Sequence, residues 1–164
     1  MEPTAFSRGQ PIPMGPFTIT VTHVEGGDFS SISGLDVGHG TKGLAVFFTV
    51  KSNKSLEESD LERFRRGRKK FGLRDRSGKT YTSNLVMLAD AFRMMRSAGQ
   101  VRDLNDLYGM KQYTDRLRYG LSRGEVDMVI IFGVPFNTSG YTLLIENTRP
   151  QSGQPRLASV PLGR

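Results

Sequence analysis

From Phe17 to Thr22 apolar and threonine side chains alternate singly, with Phe17, Ile19 and Val21 on one side and Thr18, Thr20 and Thr22 on the other. A period of two with β-branched residues on both sides predicts a half-buried strand, and His23 continues its apolar face. Residues 44–50, LAVFFTV, place Leu44, Val46, Phe48 and Val50 on one face and are apolar between them as well. The run is too short and too rich in β-branched and aromatic residues for a helix, so it predicts a central strand. Residues 70–74 (KFGLR) and 79–83 (KTYTS) flank Asp75-Arg76-Ser77-Gly78, and a glycine late in a short polar loop between alternating segments predicts a hairpin. Further on, Val126, Met128, Ile130 and Phe132 share a face with Val129 and Ile131 behind them, which predicts a strand covered on both sides. Pro135 lacks the N–H a ladder needs and ends that strand. Tyr141, Leu143 and Ile145 open another strand, and residues 156–160 offer a last one.

The period changes between the hairpin and the 125–134 strand. Leu85, Leu88, Ala89, Phe92 and Met95 recur at three- and four-residue spacing, and Val101, Leu104, Leu107, Tyr108, Leu117 and Leu121 continue a helical pattern after a break at 97–100. Residues 85–120 therefore read as one or two amphipathic helices inserted among strands. They serve either to pack against a sheet or to form a lid or partner-binding surface. Met87, Met94, Met95 and Met110 give the insert an adaptable apolar component. Residues 52–68 are polar, with room for a helical turn or a loop. Six or seven short strands, no βαβ alternation and one helical insertion predict a mainly β fold, an antiparallel immunoglobulin-like β-sandwich. The expected organisation is a flexible leader over residues 1–15 and one domain over 16–160.

Composition adds exclusions. With no cysteine among 164 residues, disulfides, thiolate metal sites and cysteine nucleophiles are ruled out. No apolar stretch reaches the ~18 residues of a membrane-spanning helix, and the first thirty residues hold no run of signal-peptide length. Read literally, the chain is cytoplasmic. The alternative is a chain that starts after a removed signal or anchor, and the start rich in Pro and Gly would suit a linker behind one. A net charge of +7, from 23 Lys and Arg against 16 Asp and Glu, favours anionic partners through long-range attraction.

Three blocks carry a family resemblance. The first is KGLAVFFTVKS at 42–52. The second is FGLRDRSGKTY at 71–81. The third starts with LSRGE at 121–125, continues to FGVP at 132–135 and is followed by a Tyr-x-Leu-x-Ile strand. In order and spacing they resemble the DUF4352 and MPT63-like immunoglobulin-like sandwiches of bacteria and archaea. The resemblance spans residues 16–147 apart from the insert. It implies an extracytoplasmic protein, secreted or envelope-anchored, that acts as a binding or structural module. It supplies no catalytic residues to carry over.

The residues themselves offer little chemistry. Arg63, Arg65, Arg66, Arg68, Lys69 and Lys70 form a basic run with Phe64 and Phe71 interleaved. Such a run suits a polyanion or nucleic acid, the cations releasing counterions and the rings stacking on bases. The plainer reading is a solvated edge strand and loop. His23 reads as a partly buried, satisfied side chain. Asp28, Asp36 and His39 are the material for a weak cation site, though loop residues this few do not make a metal centre. Glycine-rich residues 34–43 lack phosphate-loop spacing, and no nucleophile elbow or paired pocket carboxylates stand out. The expected protein is thus not an enzyme and has no cofactor, metal or catalytic residue. Its expected partner is a protein, with a homo-oligomer through a sheet edge or the insert, or a polyanion at residues 63–70, as further options.

Overall fold

A computed structural model describes residues 2–29, 41–97 and 104–164, the side chains of Asn84 and Leu104 excepted. Among them nine strands form: β1 (Thr4–Ala5), β2 (Ile12–Met14), β3 (Phe17–Gly27), β4 (Thr41–Lys51), β5 (Phe71–Arg74), β6 (Thr80–Leu88), β7 (Glu125–Pro135), β8 (Thr142–Glu146) and β9 (Leu157–Pro161). The hydrogen-bonded order is β1-β9-β8-β5-β6-β7-β4-β3-β2. Every pairing is antiparallel except β1 with β9, which is parallel.

Strand β6 turns this single ladder into a sandwich. Thr80 to Thr82 pair with β5, and Ser83 to Leu88 pair with β7. The register shifts between Ser83 and Leu85. A bulge leaves backbone groups without ladder partners and bends the strand. Here the Ser83 hydroxyl donates to the Ile131 carbonyl at 3.1 Å and accepts from the Leu85 N–H at 3.1 Å. One sheet thus holds β1, β9, β8, β5 and the start of β6, and the other holds the end of β6, β7, β4, β3 and β2. Between them lie Val46, Phe48, Met128, Ile130 and Phe132 from one side and Phe71, Leu73, Leu143 and Val160 from the other, all buried. The Phe48 and Phe71 rings meet across the gap, 5.4 Å between centroids.

The mainly β class with a helical insertion forms as expected, but several local expectations need correction. Of the leader expected over residues 1–15, the described part from Glu2 on includes strands that pair with the domain. Thr4 and Ala5 pair with β9, while Ile12 and Met14 are buried on either side of exposed Pro13 in β2. The proline content suggests a linker. Proline is nonetheless tolerated in an edge strand, and β2 is one. The insert begins later than Leu85, because residues up to Leu88 belong to β6. Val86, Met87 and Leu88 are all buried, and an apolar run covered on both faces carries no period to separate strand from helix. The inserted helices are α2 (Ala89–Ser97), α3 (Leu104–Tyr108) and α4 (Lys111–Arg123). The break expected at 97–100 lies, beyond Ser97, outside the described residues. Gly124 ends α4 at φ 70°, the left-handed conformation favoured at a helix C-terminus.

A further helix, α1 (Glu58–Arg66), followed by a 3-10 turn over Gly67–Lys70, replaces the edge strand and loop expected for the basic run. The Asp60 carboxylate accepts from the Glu57 N–H at 2.9 Å and satisfies an otherwise unpaired donor at the helix start. Leu61 anchors the helix to the core.

Candidate functional site

The basic run divides once folded. Arg65 and Arg66 both reach Glu62, at 3.5 and 3.2 Å. Arg68 has an interaction partner as well. Arg63, Lys69 and Lys70 are exposed and form no ion pair among the described residues. The acidic residues Glu58 and Asp60 stand in the first turn of α1 and the arginines in its last, which is the arrangement the helix dipole favours. The two interleaved rings do not face solvent as base stacking would require. Phe71 is buried against Phe48, and Phe64 packs edge-on to Phe17 at 5.3 Å.

His23 leaves the face on which alternation placed it. The register of β3 shifts between Val21 and His23, so Val24 points inward and His23 outward. There it stacks on Phe47 with ring centroids 4.2 Å apart. Its Nε2 lies 3.2 Å from an Arg93 guanidinium nitrogen, and its Nδ1 lies 3.4 Å from the Thr22 hydroxyl. The same Nε2 lies 3.4 Å from the Glu25 carboxylate. Glu25 receives Arg93 at 3.6 Å and Arg96 at 3.4 Å, pinning α2 to β3. The cluster is thus a fastening between helix and sheet. Asp36 and His39 lie outside the described residues, and among those described no three histidines or carboxylates converge to hold a metal ion.

Asp75 is the hairpin's organising side chain. Its carboxylate accepts from the Ser77 N–H (2.9 Å) and hydroxyl (2.6 Å), the Lys79 N–H (3.1 Å) and the Tyr81 hydroxyl (2.8 Å). These bonds, led by the Ser77 hydroxyl, hold its pKa below the ordinary aspartate value against the opposing effect of burial. Burial, with the hydrogen bond to Asp75 second, raises Tyr81 above the ordinary tyrosine value. Gly78, at φ 92°, closes the turn. Every group here is engaged by a neighbour in the same hairpin, so the arrangement serves the fold.

A concave feature of the surface lies elsewhere, between α1, the end of β6 and α4. Two adjoining depressions of about 310 and 380 Å³ share Leu88, Tyr113 and Leu117 as their floor. Tyr119 borders the first and Tyr108 the second, with side chains 63% and 45% exposed. Tyr113 between them is 2% exposed, and burial raises its hydroxyl well above the ordinary tyrosine value. None of these tyrosines stands out in the sequence as a site residue. Only the helical pattern around Tyr108 and Leu117 hinted at a surface, and Tyr113 falls outside that stripe.

No family model and no curated protein sequence matches the chain. Among solved structures it matches the crystal structure of an uncharacterised β-sandwich protein from Clostridium difficile 630, with 12% identity over 99% of this chain and 97% of that one and a TM-score of 0.51. At that identity the likeness is one of fold, and it agrees with the strand order above: the chain is a β-sandwich protein.

Proposed function

We propose that this domain is a non-catalytic binding module that recognises another protein through its helical insert, in a bacterial envelope or other extracytoplasmic setting. The observation that carries the reading is the groove between α1 and α4, with a partly exposed tyrosine at each end. Tyrosine offers a large, stiff contact area with a polar tip, and such residues anchor protein interfaces. The setting rests on the resemblance of the three sequence blocks to DUF4352 and MPT63-like sandwiches. Among the described residues no helix is long and apolar enough to cross a membrane.

The test is site-specific photo-cross-linking in the source cells. A photoreactive residue is placed at Tyr108, at Tyr119 and, as a control, at exposed Ser152, which lines neither depression. One discrete protein adduct from both tyrosine positions and none from Ser152 is the expected outcome. Adducts that are absent, or equally abundant from all three positions, would refute the insert as the contact surface.

A further inference from the structure

The two ends of β7 differ. Its first residues, Glu125 to Asp127, border the groove, and its last, Pro135, leads into the loop over residues 136–141 that precedes β8. That loop carries Phe136, which is 65% exposed and the most exposed large apolar side chain among the described residues. A single exposed apolar residue is ordinary on a protein surface. Phe136 differs in how its loop is held and in what surrounds it.

The loop is braced by three elements. Thr138 gives both its N–H, at 3.3 Å, and its hydroxyl, at 2.8 Å, to the carbonyl of Pro135 in β7. The Arg76 N–H donates to the Ser139 carbonyl at 3.0 Å and ties the loop to the β5–β6 hairpin. The Lys42 ammonium reaches in from β4 and donates to the Thr138 carbonyl at 3.2 Å. The loop thus presents the Phe136 ring to solvent from a fixed base.

The braces bring cations with them. Lys42 and Arg76 touch the loop, and Arg74 and Lys79 flank the same hairpin turn. None of the four forms an ion pair among the described residues. Asp75 is the one carboxylate on the hairpin turn and the loop together. Its oxygens are taken up by Ser77, Lys79 N–H and Tyr81. Glu25 and Asp28, toward this end of the molecule, have partners as well. An apolar ring set among cations without acidic partners suits an anionic lipid surface, where the ring enters the interface and the cations meet the headgroups. Single-stranded nucleic acid fits less well, because its binding surfaces stack successive bases on several rings and this loop offers one.

We infer that this end of the sandwich docks on an anionic lipid bilayer, with Phe136 entering the headgroup layer and Lys42, Arg74, Arg76 and Lys79 drawn to the lipid phosphates. The inference is separate from the protein-binding reading of the groove. The eleven residues of β7 set the two surfaces roughly 30 Å apart. A domain docked through Phe136 therefore keeps its groove open to a partner.

The test uses the absence of tryptophan from the chain, which makes Phe136→Trp a single fluorescent reporter. Its emission should shift to the blue with phosphatidylglycerol vesicles, recover at high salt and stay unchanged with phosphatidylcholine vesicles. Tyr119→Trp, at the groove, should show no shift. In vesicle co-sedimentation, Arg76→Ser combined with Lys79→Ser should weaken binding about 25-fold, at ~1 kcal/mol per cation. Phe136→Ser should weaken it about tenfold, from the apolar surface left in water. All three side chains are exposed, and melting curves confirm that the variants fold as the native chain does. Absence of binding to phosphatidylglycerol vesicles, equal binding to both lipids, or binding indifferent to both sets of variants would overturn the inference. So would a shift at Tyr119→Trp in place of Phe136→Trp. Full displacement by glycerol phosphate at the same phosphate concentration, or retention on heparin without vesicle binding, would assign the cations to a soluble anion and overturn it too.

Discussion

Strand β8 alternates half-buried and buried positions from Thr142 to Leu144 and ends exposed at Glu146, whereas β4 is buried at six consecutive positions from Gly43 to Phe48. Both belong to one sandwich. The β8 sheet covers one face, and its other face meets solvent. The β4 sheet covers both, because α2 lies on its outer side. Phe92 from α2 packs edge-on against Phe47 at 5.5 Å and Phe29 at 5.3 Å, with Ala91 and Met95 buried alongside. The difference teaches that the helical insert is part of the core: without it the second apolar face of β4 and β7 would be open to water. The groove then forms where the insert, having covered that face, meets α1.

The comparison can be broken most directly at Phe92. Phe92→Ala should cost about 3–5 kcal/mol in urea unfolding, since it empties a fully buried site. Leu144→Ala, at a half-buried position on the open face of β8, should cost less than about 1.5 kcal/mol. Equal losses would mean that the two sheets are not differently covered. Next in size is Gly124→Ala. A Cβ there would sit 2.3 Å from the Lys54 carbonyl oxygen and 2.8 Å from that of Ser52, on a backbone at φ 70°. A loss of about 2 kcal/mol or more is expected from the conformation and the clash together, read as a lower urea midpoint.

Ser83→Ala tests the joint between the sheets. It removes the hydroxyl that serves the Ile131 carbonyl and the Leu85 N–H, and should cost about 1–3 kcal/mol by the same measurement. Asp75→Asn sharpens the view of the hairpin on the open sheet and is read as a pH slope. The folded carboxyl is more acidic than in the unfolded chain, so its stabilising effect is present above the ordinary aspartate value of 3.8 and lost as pH falls through its lower folded value. Melting temperature should therefore fall less steeply with acid in the variant than in the native chain. The smallest effect is expected from neutralising Arg63, Lys69 and Lys70 together, which should leave stability within about 0.5 kcal/mol. Heparin retention of the same variant tests polyanion contact: a salt-sensitive retention that vanishes would restore that role to the basic run.

The sheets were legible in the sequence wherever each strand's pattern depended on its own two faces. The run from Leu44 to Phe48 read as a central strand, and the run from Met128 to Phe132 as part of one covered on both sides, because nothing polar interrupts either. The hairpin read from Gly78 in a short polar loop between two alternating segments. What escaped depends on partners far along the chain. Val86 to Leu88 could not be divided from α2 until β7 was beside them, and α1 starts on an acidic pair rather than the serine or threonine that usually announces a helix. The β3 bulge that turns His23 outward leaves no residue signature. The groove was least legible of all, since Tyr113 gains its surroundings from Glu58 and Leu61 of α1 and Leu88 of β6, two elements distant in sequence.

The edges of the sandwich also set an order of events. Gln154 holds Gly15 by both backbone groups, its amide oxygen 2.8 Å from the Gly15 N–H and its amide nitrogen 2.9 Å from the Gly15 carbonyl, across 139 positions of sequence. Strand β1 waits longer still for β9. During synthesis the first strands therefore emerge with no ladder partner of this kind, and contacts so distant in sequence form slowly. The hairpins in between can close as they appear, but the sandwich is sealed only when its last strand arrives to collect its first.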